Sequence, residues 1–269
     1  MTDRPDLPIA GPAFGANPSF VDLVRREAPE ALPAALAHGS AIEGRVEVPR
    51  GTTVLGLKYA DGIIVAGDRR ATAGYTIADD KMRKVFAADD YSAIAIAGAA
   101  GMAVEMVKLF QLELEHYEKL TGDRLSLEGK ANRLAQMIRS NFPLALQGLI
   151  VVPLFGGFDH RRDEGRLFYY DATGGRWEED DYQSTGSGSQ PAKNSLKKRW
   201  RPGLPRDQAL QVTVEALLDA SEEDVATGGP NVGRRIYPNV LTVTADGAAE
   251  VSEDEVAAAV DAVLAERAR

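Results

Sequence analysis

A chain of 269 residues, 44% of them apolar, can bury one substantial core. Its formal charge of −9 argues against duplex nucleic-acid binding, which needs a surplus of lysine and arginine on the docking face. With no cysteine, disulfide frameworks, cysteine-ligated zinc and thiol nucleophiles are excluded. The first eight residues, Met1 to Pro8, carry acids and prolines where a secretory signal needs a basic start and an apolar run. The longest weakly apolar stretch, Ala93 to Val104, falls short of the roughly 18 residues that a membrane span requires. The expectation is a cytoplasmic chain without a membrane partner.

Along the chain, composition breaks near residue 50. Seven of the 14 prolines lie in the first 51 residues, whose short apolar runs cannot build a core. Residues 1–51 therefore read as an appendage and 52–269 as the folded domain. Val54 to Tyr59 and Ile63 to Gly67 are β-type runs joined by the Asp61-Gly62 turn signal. Strands at Lys84 to Ala88 and Tyr91 to Ala97 follow. The period then becomes helical from Gly98 to about Leu120, and again through Leu127, Ala131, Leu134 and Ile138.

A second strand set is expected at Leu149 to Phe155, Arg166 to Tyr170 and Trp177 to Tyr182. Helices follow at Pro191 to Trp200 and Asp207 to Ser221, then strands at Val240 to Thr244 and Ala248 to Val251 and a last helix, Glu253 to Arg267. Strand group, helix pair, strand group, helix pair implies an α+β fold. The expected form is a four-layer α-β-β-α sandwich of two stacked, mainly antiparallel sheets flanked by helices.

Few chemistries survive this composition. A Ser-His-Asp triad needs a suitably placed histidine, and the three present are His38 in the appendage, His116 among acids and His160 in a turn. No G-x-S-x-G elbow exists, and no histidine pair has metal-ligand spacing. Thr185 to Ser189 lacks the lysine of a phosphate-binding loop and reads as a turn. The basic stretch from Lys193 to Arg201 follows Glu178 to Asp181 and reads as a solvated or subunit-facing surface. No metal or organic cofactor is indicated.

Gly51-Thr52-Thr53 stands at the composition boundary. Threonines opening a strand are unremarkable alone. In register, however, the run Gly51 to Arg70, then Lys81-Met-Arg-Lys84, Ala95-Ile-Ala-Gly98, Gly186-Ser-Gly-Ser189 and Asp224-Val-Ala-Thr-Gly-Gly229 closely resembles proteasome β subunits of the N-terminal-nucleophile hydrolase superfamily. The resemblance spans residues 51–269, and the long appendage with Asp-x-x-Thr-Gly-Gly points to the actinobacterial branch.

A threonine hydroxyl needs a base, and a free α-amino group of pKa about 7.7 to 8.0 can serve near neutral pH. That requires a self-cut between Gly51 and Thr52 that removes residues 1–51 as a propeptide. Glycine at 51 can adopt the backbone geometry that brings the Thr52 hydroxyl onto its preceding carbonyl.

By the resemblance, Lys84 eases formation of the Thr52 alkoxide and Asp68 orients Lys84. Ser187, Asp224 and Thr227 hold the terminal amine and relay its proton. Many family members carry serine where this chain has Thr227, so an extra methyl must be housed. Gly98, between a strand and a helix, is the oxyanion donor. The pocket for the substrate residue before the scissile bond is Ile96 at its base with Ala71, Met82, Ala100 and Val104 around it.

The resemblance further implies copies of this chain in heptameric rings, capped by α subunits. An ATPase ring would deliver polypeptides tagged with the prokaryotic ubiquitin-like protein. Two other readings stay open: an amidohydrolase of the same superfamily acting on a small amide, and a non-catalytic α-type ring subunit.

Overall fold

The structure, a computed structural model, describes residues 51–268. The reading of residues 1–51 as a removable segment lies, Gly51 apart, outside the described residues, as does His38.

Twelve strands are arranged as two five-stranded antiparallel sheets and one small hairpin among the described residues. They are β1 (Thr53–Tyr59), β2 (Gly62–Gly67), β3 (Ala71–Ala73), β4 (Thr76–Asp79), β5 (Val85–Asp89) and β6 (Ser92–Gly98). After three helices come β7 (Val151–Asp159), β8 (Glu164–Tyr170), β9 (Arg176–Glu179) and β10 (Tyr182–Gly186), and near the end β11 (Asn239–Thr244) and β12 (Gly247–Glu250). The helices are α1 (Ala100–Thr121), α2 (Leu127–Ser140), a short α3 (Phe142–Ala145), α4 (Ser189–Arg199), α5 (Arg206–Glu223) and α6 (Glu253–Arg267). One sheet has the order β10-β1-β2-β11-β12 and the other β5-β6-β7-β8-β9.

Side chains alternate faces along a strand, and here both faces of both sheets are covered. In β1 and β2, Val54, Ile63 and Val65 point inward, onto Ala93, Ala95, Leu154 and Leu167 of the second sheet. Leu55, Leu57, Ile64 and Ala66 point the other way, into a core with Leu196 of α4, Val214 and Leu217 of α5 and Val260 of α6. In the second sheet Ile94, Ile96, Phe155 and Phe168 pack beneath Val107 and Phe110 of α1 and Leu134 and Ile138 of α2. This is the expected α-β-β-α sandwich.

The sheets do not follow the two strand groups of the sequence. The predicted strand Trp177 to Tyr182 is instead two: β9 pairs with β8 in one sheet, and β10 pairs with β1 in the other. The break falls at Asp180-Asp181, where the Asp181 carboxylate accepts from the Tyr182 N–H at 2.6 Å and turns the chain across. The β3–β4 hairpin had no signature, because β4 is exposed along its whole length and shows no alternation.

The pairing brings four chain segments to one end of the sandwich. Thr53 is in register with Gly186 of β10, and Val54 with Gly67 of β2. Asp68 and Ser187 thus sit beside Thr52, while β6 of the facing sheet ends at Gly98.

Candidate active site

Thr52 precedes β1 and is 7% exposed, with Thr53, Asp68, Lys84 and Thr227 all fully buried around it. The Thr52 hydroxyl donates to the Gly51 carbonyl oxygen at 2.6 Å. Lys84 Nζ donates to that same oxygen at 3.1 Å, to Asp68 Oδ1 at 2.7 Å and to the Arg70 carbonyl. Three acceptors use all three protons of an ammonium group. Burial presses the Lys84 pKa below the usual lysine range, and the adjoining Asp68 carboxylate opposes that.

Asp68 is held by backbone as well. Its Oδ1 accepts from the Thr53 N–H at 2.7 Å, and its Oδ2 from the N–H groups of Arg70 and Gly228, each at 2.8 Å. The ammonium is therefore aimed at the Gly51 carbonyl by a carboxylate that cannot turn.

On the other side, the Thr52 N–H points to Ser187 Oγ at 3.4 Å, and the Ser187 N–H donates to the Thr52 carbonyl at 2.9 Å. Thr227 Oγ1 donates to Asp224 Oδ2 at 2.6 Å and the Ala226 N–H to Asp224 Oδ1 at 3.1 Å. Burial disfavours the charged form of Asp224, but hydrogen bonds from Ser187 and Thr227 outweigh it and hold the pKa below the ordinary carboxylate value. Thr227 itself is fully buried, so its extra methyl is housed within the fold.

Gly51, Thr52, Gly98, Ala99, Ile150 and Ser187 line one cavity of about 180 Å³. Gly98 has φ 116° and leads into the N-terminus of α1, the site expected of an oxyanion donor. The predicted pocket residues do not line this cavity. Ile96 is buried beneath α1, Ala100 and Val104 lie partly buried one turn apart on α1, Ala71 is buried in β3 and Met82 is half-buried. A larger groove of about 510 Å³ over α1 and α2, walled by Leu112, Leu114, Tyr117 and Leu120, holds His116 and no nucleophile. His160 packs edge-on against Tyr91 and Phe158. Among the described residues no group of three or more His, Asp or Glu could hold a metal, and no helix is long and apolar enough to cross a membrane.

A family model described as "Proteasome subunit" matches residues 48–232. The chain is 53% identical over 261 residues to a proteasome subunit beta of Streptomyces griseus, covering 97% of this chain and 92% of that one. It is 48% identical over 264 residues to the proteasome subunit beta of Acidimicrobium ferrooxidans, covering 97% and 95%. For that of Jonesia denitrificans the identity is 51% over 251 residues, covering 93% and 83%. The chain belongs to the proteasome β-subunit family. Membership carries protease function, a hydrolase activity, and assembly with other proteasome subunits into a core particle.

Sequence reasoning passed over two contributors in this proteasome β subunit. Arg70 donates through Nη1 to the carbonyls of Val225 at 2.9 Å and Thr227 at 3.2 Å, tying the Asp224 loop to the end of β2. Nothing local in the sequence marks its long reach. Thr53 read as a strand former, yet its hydroxyl lies 2.6 Å from that of Thr227.

Gly51 has φ 135°, and a Cβ there would sit 2.5 Å from Thr72 Oγ1 and 2.8 Å from the Ala226 carbonyl oxygen. Both the conformation and the space exclude a side chain. On the expectation of a self-cut at this bond, Gly51→Ala should slow it by about tenfold or more, since a strain of a few kcal/mol must be relieved by moving the carbonyl away from Lys84. Intact mass followed over time after subunit mixing measures it. Cutting at the wild-type rate would show that the Gly51 geometry is unimportant.

Proposed function

We propose that this chain is a threonine endopeptidase, made as a precursor that cuts itself between Gly51 and Thr52. The observation that carries the reading is the convergence on one carbonyl: the Thr52 hydroxyl at 2.6 Å and the buried Lys84 ammonium at 3.1 Å from the Gly51 oxygen. In self-cutting, Thr52 Oγ attacks the Gly51 carbonyl carbon, and Lys84 supports the charge that develops on its oxygen. The Gly51–Thr52 C–N bond breaks, the nitrogen takes the hydroxyl proton, and Gly51 is left as an ester on Thr52. Water then hydrolyses the ester, which frees residues 1–51 and exposes the Thr52 α-amine.

In turnover the amine accepts the Thr52 hydroxyl proton and the oxygen attacks a substrate carbonyl. Gly98 supplies the oxyanion donor, the leaving amine takes the proton, and water hydrolyses the acyl-enzyme. Asp68 fixes Lys84, while Ser187, Asp224 and Thr227 hold the amine. The proposal extends to the cytoplasm, heptameric rings of this chain capped by α subunits, and an ATPase ring that delivers polypeptides tagged with the prokaryotic ubiquitin-like protein. It is supported by the actinobacterial relatives.

To test it, an acylating electrophile is added to the active particle and the modified residue mapped by peptide mass spectrometry. Acylation of Thr52 is expected, and acylation elsewhere with inactivation would overturn the reading.

The pocket of Ala71, Met82, Ile96, Ala100 and Val104 has no charged member, so a buried Asp or Arg on the substrate would go unpaired there. Fluorogenic peptides ending in Leu, Tyr or Phe are expected to give kcat/KM about tenfold or more above those ending in Asp or Arg. Faster cutting after Asp or Arg would show that other residues form the pocket.

A further inference from the structure

The Thr53 hydroxyl is fully buried and its partners fix the direction of a hydrogen-bond chain. The Gly188 N–H donates to Thr53 Oγ1 at 3.0 Å. Thr227 Oγ1 lies 2.6 Å from both Thr53 Oγ1 and Asp224 Oδ2. An ionised carboxylate only accepts, so the single Thr227 proton goes to Asp224 and Thr227 must accept from Thr53. The order is therefore Gly188 N–H to Thr53, Thr53 to Thr227, and Thr227 to Asp224.

This chain closes on the reacting threonine. Ser187, the residue before Gly188, has its Oγ 3.4 Å from the Thr52 nitrogen and donates to the Thr52 carbonyl at 3.3 Å, and its hydroxyl also helps hold the Asp224 pKa below the ordinary carboxylate value. The space is filled by the hydroxyls themselves: a Cβ on Gly188 would lie 2.5 Å from Thr53 Oγ1 and 2.7 Å from Thr227 Oγ1. Through its backbone N–H, Thr53 also holds Asp68, the anchor of Lys84, at 2.7 Å. One residue thus joins the ammonium side of the site to the amine side.

We propose that Thr53 is a positioning residue whose hydroxyl sets Thr227, Asp224 and the Ser187-Gly188 turn around the Thr52 nitrogen. The proposal rests on Thr52 being the nucleophile. Removing the hydroxyl leaves the Gly188 N–H buried without an acceptor and Thr227 without its donor, so the turn that carries Ser187 loses its fixed place.

Two variants of the assembled core particle separate hydroxyl from packing. Thr53→Val keeps the shape and loses the hydroxyl, whereas Thr53→Ser keeps the hydroxyl and loses the methyl. Thr53→Val is expected to lower kcat about 10-fold to 100-fold with KM within about threefold, and to move the acid limb of the pH–rate profile by about half a unit or more. Thr53→Ser is expected to keep about a third or more of the wild-type kcat.

Thr53→Val within about twofold of wild type, or Thr53→Ser impaired as much as Thr53→Val, would overturn the proposal. Should the valine variant fail to assemble, neutron diffraction on the deuterated wild-type particle decides. The Thr53 deuteron is expected on the line to Thr227 and the Thr227 deuteron toward Asp224, and the reverse order would overturn it. Thr52→Ala is assayed alongside. An active Thr52→Ala would remove the underlying nucleophile reading, while an inactive one beside an unimpaired Thr53→Val would remove only the role of Thr53.

Discussion

Thr52→Ala is expected to yield a folded, assembled chain that retains residues 1–51 and hydrolyses peptides about 10⁴-fold or more slowly than wild type. The fold should tolerate the change. The contacts that seat this residue are made by backbone: the Thr52 carbonyl accepts from the Ser187 N–H at 2.9 Å, and the next N–H holds Asp68 at 2.7 Å. Neither involves the side chain that is lost. Removing it also takes away the hydroxyl that donates to the Gly51 carbonyl, so self-cutting and turnover should fail together. A second version, produced with alanine already at the processed terminus, isolates turnover from processing. Retention of more than about a tenth of wild-type peptidase activity in either version would contradict the mechanism.

The next largest effect is expected of Lys84→Ala. Supplied with a processed terminus, this variant should lose about 10²-fold to 10³-fold in kcat, the usual cost of removing one preorganised electrostatic stabiliser. The complication is Asp68, fully buried and 2.7 Å from the ammonium that would be gone. Breaking a buried pair by deleting one partner commonly destabilises by about 3–5 kcal/mol. Here the carboxylate keeps three backbone N–H donors, from Thr53, Arg70 and Gly228, so the loss should fall at the lower end and the fold should survive. Thermal unfolding of the Lys84→Ala particle measures the loss of stability separately from the loss of kcat. An amide at 68 would not separate them, because both Asp68 oxygens accept from backbone N–H groups and one of these would face the amide NH2. A Lys84→Ala particle that turns over peptides within about threefold of wild type would show that Lys84 only fills its site.

How much of this was legible in the sequence depends on whether the deciding contact is local. Helices α1 and α2 announce themselves by apolar spacing, and Glu253–Arg267 is found at its predicted bounds. The sandwich follows from the order of elements. The membership of each sheet does not, because Thr53 meets Gly186 and Gly67 meets Asn239 across long stretches of chain that no local pattern encodes. Strands buried on both faces also lose the alternation that would reveal which side faces the helices.

The same division holds for the site. Thr52, Asp68, Lys84, Ser187, Asp224 and Thr227 stood out because their motifs occur in register, and the fold brings all six to one end of the sandwich. Thr53 and Arg70 were missed because a threonine in a strand and an arginine in a turn each have an ordinary local explanation. Their roles appear only once residues 135 to 174 positions away are in contact.

The central claim is that Thr52 becomes the first residue of the working chain, since only then does a free α-amine stand beside its hydroxyl. The most direct measurement is the N-terminal sequence and intact mass of this subunit in a core particle that is actively hydrolysing peptides. The expected result is a single species that begins Thr52-Thr53-Val54, with residues 1–51 absent. Active particles in which every copy still carries residues 1–51 would contradict the account.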